Sequence, residues 1–237
     1  MTPRRAERRM TSPQADHRRT LLFLVTEDWY FASHRLPLAR AASAAGYRVV
    51  VAARVRDHAA VIRAAGAEVV PLAWRRSGNS PVSHARALAE IIRTYREVSP
   101  DLVHHVALKA VVFGSIAARW TGVAARVNAL AGLGFVFSSP SLRARLLRPM
   151  LRHALRLVLR GEHHRVIVQN REDREVIIAA HLARAGQVRL IRGAGVDLAE
   201  YAGPVTRTES PPIVVLVARL LWDKGVGDFV GAAGLLR

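Results

Sequence analysis

Three short stretches of the 237-residue sequence concentrate residue types that bind or polarise oxygen-rich ligands. The sharpest is Arg219-Leu220-Leu221-Trp222-Asp223-Lys224-Gly225, between an apolar run, Ile213–Ala218, and a helical pattern. A guanidinium at a strand end and an ammonium at the start of the next helix converge where the helix dipole also favours negative charge. That pairing of Arg219 with Lys224 suits a diphosphate leaving group, because preorganised cations stabilise charge that grows on phosphate oxygens as a bond breaks. The plain alternative is a solvated loop carrying two ordinary cations.

The second stretch is His104-His105-Val106-Ala107-Leu108-Lys109, at the end of a strand-like run. Neighbouring strand side chains point to opposite faces, so only one of His104 and His105 can look into a given crevice, and the other is expected to be packed. Lys109 falls at the strand–helix turn, placed to meet an anion or a leaving oxygen. It is also one of only two lysines, with Lys224, against 34 arginines. A compact ammonium kept in so arginine-biased a chain points to a chemical need. His104, His105 and Lys109 are therefore the candidate catalytic set.

The third stretch runs from Glu27 to Arg35 and reads EDWYFASHR. Glu27 and Asp28 suit sugar hydroxyls or the role of a base, His34 and Arg35 suit phosphate at a helix N-terminus, and Ser33 joins them as a candidate acceptor contact. Helix capping by Asp28 or Ser33 is the plain alternative. The loop holds no glycine, so a dinucleotide fingerprint is absent, as is a P-loop, which argues against a nicotinamide or flavin enzyme. Further on, Gly132 and Gly134 in AGLGFVF allow backbone amides to approach a ligand, although ordinary loop chemistry explains them equally well.

The elements that must position these residues alternate along the chain. Apolar, β-branched runs fall at 20–26, 47–53, 67–73, 101–107, 124–130, 164–170 and 187–193, separated by helical patterns, the first of them over about 33–45 and stopped by Gly46. Such runs between amphipathic helices predict a parallel sheet covered on both faces, a doubly wound α/β domain with ligands at the carboxyl ends of its strands. Residues 1–19 read as a disordered basic leader, 20–201 as the first domain and 202–212, AGPVTRTESPP, as a linker. Residues 213–237 read as the first strand and helix of a second α/β domain cut short.

The net charge is +18. With about half the residues hydrophobic and none of them cysteine, the chain is neither a disordered polybasic tail nor a disulfide scaffold. No apolar run reaches the roughly 18–20 residues of a membrane span, and the arginine-rich leader lacks the apolar core of a secretory signal. A reducing, cytoplasmic setting fits best. Ser141–Gly161, SLRARLLRPMLRHALRLVLRG, forms a basic amphipathic helix, with Pro149 expected to bend it. Arg145, Arg148, Arg152, Arg156 and Arg160 share one arc, opposite Leu147, Met150, Leu151, Ala154, Leu157 and Val158. Either its leucines simply pack on the sheet or its arginines meet an anionic membrane surface. Nucleic acid is not expected as a partner, because no recognition motif accompanies the charge.

The pattern VARLLWDKG, with IRGAGVDLAEY at 191–201 before it, resembles glycosyltransferase family 4, retaining nucleotide-sugar enzymes of GT-B fold. The likeness covers nearly all of 20–237, and DLVHHVALKAVVFGS and NALAGLGFVF resemble the members that add N-acetylhexosamine-type sugars to polyprenyl-diphosphate-linked acceptors in cell-surface polysaccharide synthesis. The resemblance implies Arg219 and Lys224 on the donor diphosphate, His104 or His105 near the reacting sugar, and Glu27, His34 and Lys109 in the acceptor crevice. It implies a nucleotide-sugar donor, expected to be a UDP-sugar, a lipid-linked saccharide acceptor, no cofactor and no metal. It places the enzyme peripherally on the inner face of the plasma membrane. The acidic stretch that holds the donor in such enzymes would lie beyond Arg237, so this chain alone is expected neither to turn over nor to bind nucleotide-sugar tightly. The alternative is a non-catalytic remnant or a membrane- or partner-binding module.

Overall fold

The computed structural model describes residues 18–74, 80–132, 142–196, 198, 202–203, 213–218, 220 and 222–236. It divides into two compact units, residues 1–195 and 196–237.

The first unit is built on a wholly parallel sheet in the order β3-β2-β1-β4-β5-β6-β7. The strands are β1 (Thr20–Glu27), β2 (Arg48–Arg54), β3 (Ala67–Pro71), β4 (Leu102–Val106), β5 (Ala125–Leu130), β6 (His164–Val168) and β7 (Val188–Leu190). They fall on the seven predicted runs because buried parallel strands carry apolar side chains on both faces. In β1, Leu22 and Leu24 pack under α4 (Pro81–Val98) and α5 (Leu108–Thr121). Phe23 and Val25 pack on the other side, against α1 (Asp28–His34), α2 (Leu36–Ala44) and α3 (Ala59–Ala64). A third cluster joins α6 (Leu142–Leu159) and α7 (Arg171–Ala179) to β5, β6 and β7.

Three local expectations change. The helix expected from about residue 33 begins at Asp28, directly after β1, and breaks at Arg35. Pro37 lies in the first turn of α2, where its missing N–H is harmless, whereas inside one long helix its ring would strike the carbonyl of Ser33. Helix α6 runs on through Pro149, and its apolar residues divide between two faces. Leu151, Leu155, Val158 and Leu159 turn to the core, while Leu142, Leu146, Met150 and Leu157 are exposed.

In the second unit, residues 213–218 form no strand among the described residues, and Ile213 to Val217 are exposed. A strand exists only within a ladder, and no second strand is described there to pair with it. The chain continues into a 3-10 turn, Trp222–Lys224, and then α8 (Val226–Leu235), which begins at Gly225 with φ 70°.

Candidate active site

The strand order reverses direction between β1 and β4, so the chain leaves these neighbours toward opposite faces of the sheet and opens a crevice at their carboxyl ends. A cavity of about 660 Å³ lies there. Thr26 and Glu27 from β1, Val106 to Lys109 from the β4–α5 turn, and Trp29 and Tyr30 from α1 line it. His84, Phe113, Met150 and Leu151 complete the wall from α4, α5 and α6. The lining mixes aliphatic, aromatic and ionisable side chains, which suits an amphiphile or a sugar ring presenting its C–H face to an aromatic plate.

Besides the Tyr30 phenol, three ionisable groups line this crevice, Glu27, His84 and Lys109. Glu27 is nearly buried, with Arg54 Nη1 and Arg56 Nε each 3.9 Å from its carboxylate oxygens. Lys109 lies with Nζ 5.7 Å from the centre of the Trp74 ring, and partial burial draws its pKa below the usual lysine value. His84 packs its ring 5.4 Å from that of Phe113. Helix α4, which carries His84 in its first turn, is capped by Ser80, whose side chain accepts from the Ser83 N–H. The floor of the crevice is Ala107, held at φ 72° and ψ 157°, a region natural to glycine and costly for an L residue. Its N–H bonds Ala129 and its carbonyl accepts from Val111, which fix it from both sides.

The two histidines of β4 lie deeper. His104 is 5% exposed and His105 0%, on opposite faces of the sheet, and neither lines the crevice. His105 sits on the α4–α5 side, with Nε2 2.9 Å from Tyr95 Oη and Nδ1 2.7 Å from Asn128 Oδ1. Ser115 Oγ donates to the same Asn128 oxygen at 3.2 Å. Burial holds the pKa of His105 down at about 4, against a raising contribution from Asn128. His104 packs beside Phe23, ring centres 5.1 Å apart, and burial together with the nearby Arg35 guanidinium lowers its pKa to about 3. Both are neutral imidazoles at physiological pH and both are packed, so neither takes the crevice position expected of one of them; His105 has its hydrogen bonds made, whereas His104 Nε2 is buried without one among the described residues.

Residues 20–170 match the family model described as Glycosyl transferase 4-like. The chain belongs to that family. Among relatives, it is 22% identical over 215 residues to the N,N'-diacetylbacillosaminyl-diphospho-undecaprenol alpha-1,3-N-acetylgalactosaminyltransferase of Campylobacter jejuni, an alignment over 86% of this chain and 57% of that protein. The chain thus spans little more than half the length of that relative. Two solved structures overlay on the fold. Sucrose-phosphate synthase from Thermosynechococcus elongatus does so with a TM-score of 0.54 at 16% identity, over 74% of this chain and 48% of that one. A glycosyltransferase from Rickettsia africae gives 0.51 at 11% identity, over 74% and 43%. The doubly wound parallel sheet expected of a GT-B enzyme is the fold these overlays share.

Within this glycosyl transferase 4-like unit, the candidate residues part company. Glu27 and Lys109 meet in the crevice. Asp28 does not reach it, because its fully buried carboxylate accepts backbone N–H groups from Arg56 at 2.7 Å, His58 at 3.0 Å and Trp29 at 2.8 Å. Desolvation opposes that arrangement, but the three N–H donors prevail and its pKa falls below the usual aspartate value. Asp28 therefore ties the β2–α3 loop to α1 and is not an acceptor contact. Ser33 and His34 are exposed on α1 outside the crevice lining, with the Ser33 hydroxyl donating to Trp29 O and the His34 ring stacked 4.4 Å from Tyr30. Arg35 is buried near His104 and also lies outside the lining, because the break before α2 turns it inward.

Gly132 follows β5 with φ 92°, whereas Gly134 and Arg219 lie outside the described residues. Lys224 is exposed at the end of the 3-10 turn of the second unit. Of the five arginines of the basic helix, Arg156 reaches the carbonyl of Ala180, at 2.9 Å from Nη2, and Arg160 that of His181, also at 2.9 Å, so both cap the end of α7. Sequence reading missed His84, Trp29, Tyr30 and Phe113 as crevice residues. His84 and Phe113 lie inside helices whose position over the strand ends is a tertiary fact. Trp29 and Tyr30 stand within the EDWYFASHR stretch, and their apolar character masked them.

Proposed function

We propose that this chain supplies the acceptor side of a retaining glycosyltransferase that moves a sugar from a nucleotide-sugar to a polyprenyl-diphosphate-linked saccharide in cell-surface polysaccharide synthesis. The observation that carries the reading is the crevice at the β1 and β4 strand ends, where Glu27, His84 and Lys109 face aromatic and aliphatic walls in a chain of this family. The activity for which the Campylobacter relative is named, on a diphospho-undecaprenol saccharide, supports the acceptor class. The Lys109 ammonium suits an acceptor phosphate, Glu27 the hydroxyls of the acceptor sugar, and Trp29 and Tyr30 its ring. The acceptor oxygen bonds to the donor C1 as the C1–O bond to the nucleoside diphosphate breaks, and the departing diphosphate takes the hydroxyl proton. Arg219 and Lys224 serve that diphosphate, and neither a metal nor a cofactor is required. The arginines of α6 favour attachment at the anionic inner face of the plasma membrane.

The test is calorimetric titration of a short-chain polyprenyl-diphosphate monosaccharide into the chain. Lys109→Met is expected to weaken acceptor binding at least about tenfold, the order of one charge-assisted contact. Acceptor binding unchanged in Lys109→Met and in Glu27→Gln would sink this assignment of the crevice.

A further inference from the structure

A second cavity, of about 330 Å³, lies between α4, the segment that follows β3, and Lys109, a residue it shares with the lining of the crevice. Trp74, Ala87 and Glu90 are among the residues around it. Trp74 is 4% exposed, with its ring 5.9 Å from that of Phe113, and its indole Nε1–H is buried with no hydrogen-bond partner among the described residues. A buried donor left without an acceptor is costly, so nearly all such groups in native proteins are matched by protein, water or ligand. The backbone just before this donor is pinned, since the Ala73 N–H donates to Glu90 Oε1 at 2.8 Å. An unmatched, firmly held donor thus belongs to the wall of a cavity that adjoins the crevice.

We propose that this cavity is a specificity subsite for an acetamido group on the acceptor sugar, in which the Trp74 indole N–H donates to the acetamido carbonyl oxygen. The subsite rests on the lipid-linked acceptor reading, because Lys109 is where the crevice and the second cavity meet. An acetamido group presents one acceptor, one donor and one methyl. The cavity offers a counterpart to each: the indole N–H for the carbonyl, the Glu90 carboxylate for the amide N–H, and Ala73 and Ala87 for the methyl. A carboxylate has about four acceptor positions, so the bond from Ala73 leaves Glu90 capacity for another. A hydroxyl in the same place would leave the apolar part of the cavity unfilled. A phosphate would meet Arg86 and Lys109 favourably but the Glu90 carboxylate unfavourably, and inorganic phosphate is therefore one arm of the test.

Two short-chain polyprenyl-diphosphate acceptors that differ only in carrying N-acetylglucosamine or glucose separate these cases. Each is titrated into the isotope-labelled chain and followed by nuclear magnetic resonance at the indole N–H signals, where Trp74 gives the one absent from Trp74→Phe. The N-acetylglucosamine acceptor is expected to bind at least about tenfold more tightly, because a site with a buried donor rejects a ligand that leaves it unpaired. It should also move the Trp74 signal downfield, as a hydrogen bond to a carbonyl does, while the glucose acceptor leaves that signal in place. Trp74→Phe keeps a ring against Phe113 and removes the donor, so it should erase the preference. Equal binding of the two acceptors with the Trp74 signal unmoved overturns the subsite and leaves the acceptor reading standing, whereas binding of neither removes both. Saturable movement of the same signal by inorganic phosphate alone also overturns the subsite, the cavity then being an anion seat. The preference is read on the wild type, so a Trp74→Phe chain that failed to fold would not blunt the test.

Discussion

Gly114 stands where α5 packs against His105 of β4 and Leu24 of β1, and replacing it by alanine probes the buried histidine network directly. A Cβ built there would lie 2.5 Å from His105 Cδ2, 2.6 Å from His105 Nε2 and 2.7 Å from Leu24 Cδ2. Leu24 can rotate its terminal methyl away. The imidazole cannot move cheaply, since Tyr95 and Asn128 hold its two nitrogens at 2.9 and 2.7 Å. Overpacking costs about 1–3 kcal/mol, and breaking one of those buried hydrogen bonds about 1–3 kcal/mol more. Exchanging glycine for alanine within a helix returns about 1 kcal/mol. The expected net loss is roughly 3 kcal/mol, equivalent to about 6–12 °C in Tm for a chain of this size. Urea and thermal denaturation of Gly114→Ala, His105→Ala and the double variant measure it. In the His105→Ala background the added methyl has space to occupy, so Gly114→Ala should become neutral or stabilising there. A Gly114→Ala protein that melts within 2 °C of wild type (about 1 kcal/mol or less) would refute the reasoning, and so would the same cost in both backgrounds.

The buried histidines also set an acid response. Both folded-state pKa values, about 3 for His104 and about 4 for His105, lie below the unfolded value near 6.5, so the unfolded chain binds the protons more readily. Stability is therefore fully present above about pH 6.5 and falls on acidification toward pH 4, at roughly 1.4 kcal/mol per unit for each histidine. Denaturation midpoints between pH 7 and 4.5 show this slope, His105→Gln should lower it by roughly 1.4 kcal/mol per pH unit, and a flat profile contradicts it. Asp28→Asn keeps the shape but replaces one acceptor oxygen facing the Arg56, His58 or Trp29 amides with a donor. About 2–4 kcal/mol of stability should go with it. Hydrogen exchange should rise at Arg56 and His58, and unchanged protection there would remove Asp28 from its tethering role.

The sheet was legible because the runs that form it are apolar on both faces, and the crevice followed from the rule that ligands gather at strand ends. Within that crevice, Glu27 and Asp28 could not be told apart by sequence. They are adjacent acids, and only the path of residues 54–58 in space decides that Asp28 receives the amides while Glu27 keeps its place at the cavity. His104 and His105 carried the right residue type, but β4 extends beyond them to Val106, which places both below the strand end. The basic helix was legible as amphipathic, yet two patterns overlap on it. One set of leucines faces the core and another faces out, and a single apolar arc drawn through both hides the division. Arg156 and Arg160 look like their neighbours in sequence and differ only because the end of α7 lies within their reach.

Ala107 has a consequence for recognition. An alanine at φ 72° and ψ 157° occupies a narrow basin, and here it is clamped through its N–H to Ala129 and through its carbonyl to Val111. The floor of the crevice is therefore preorganised. Its backbone entropy is lost when the sheet forms, so an arriving ligand need not freeze this wall, and less of its binding energy is diverted into ordering the protein. Selectivity at this wall then works by rejection rather than by accommodation: a ligand that does not match the turn cannot induce a match without distorting β4 and β5 together.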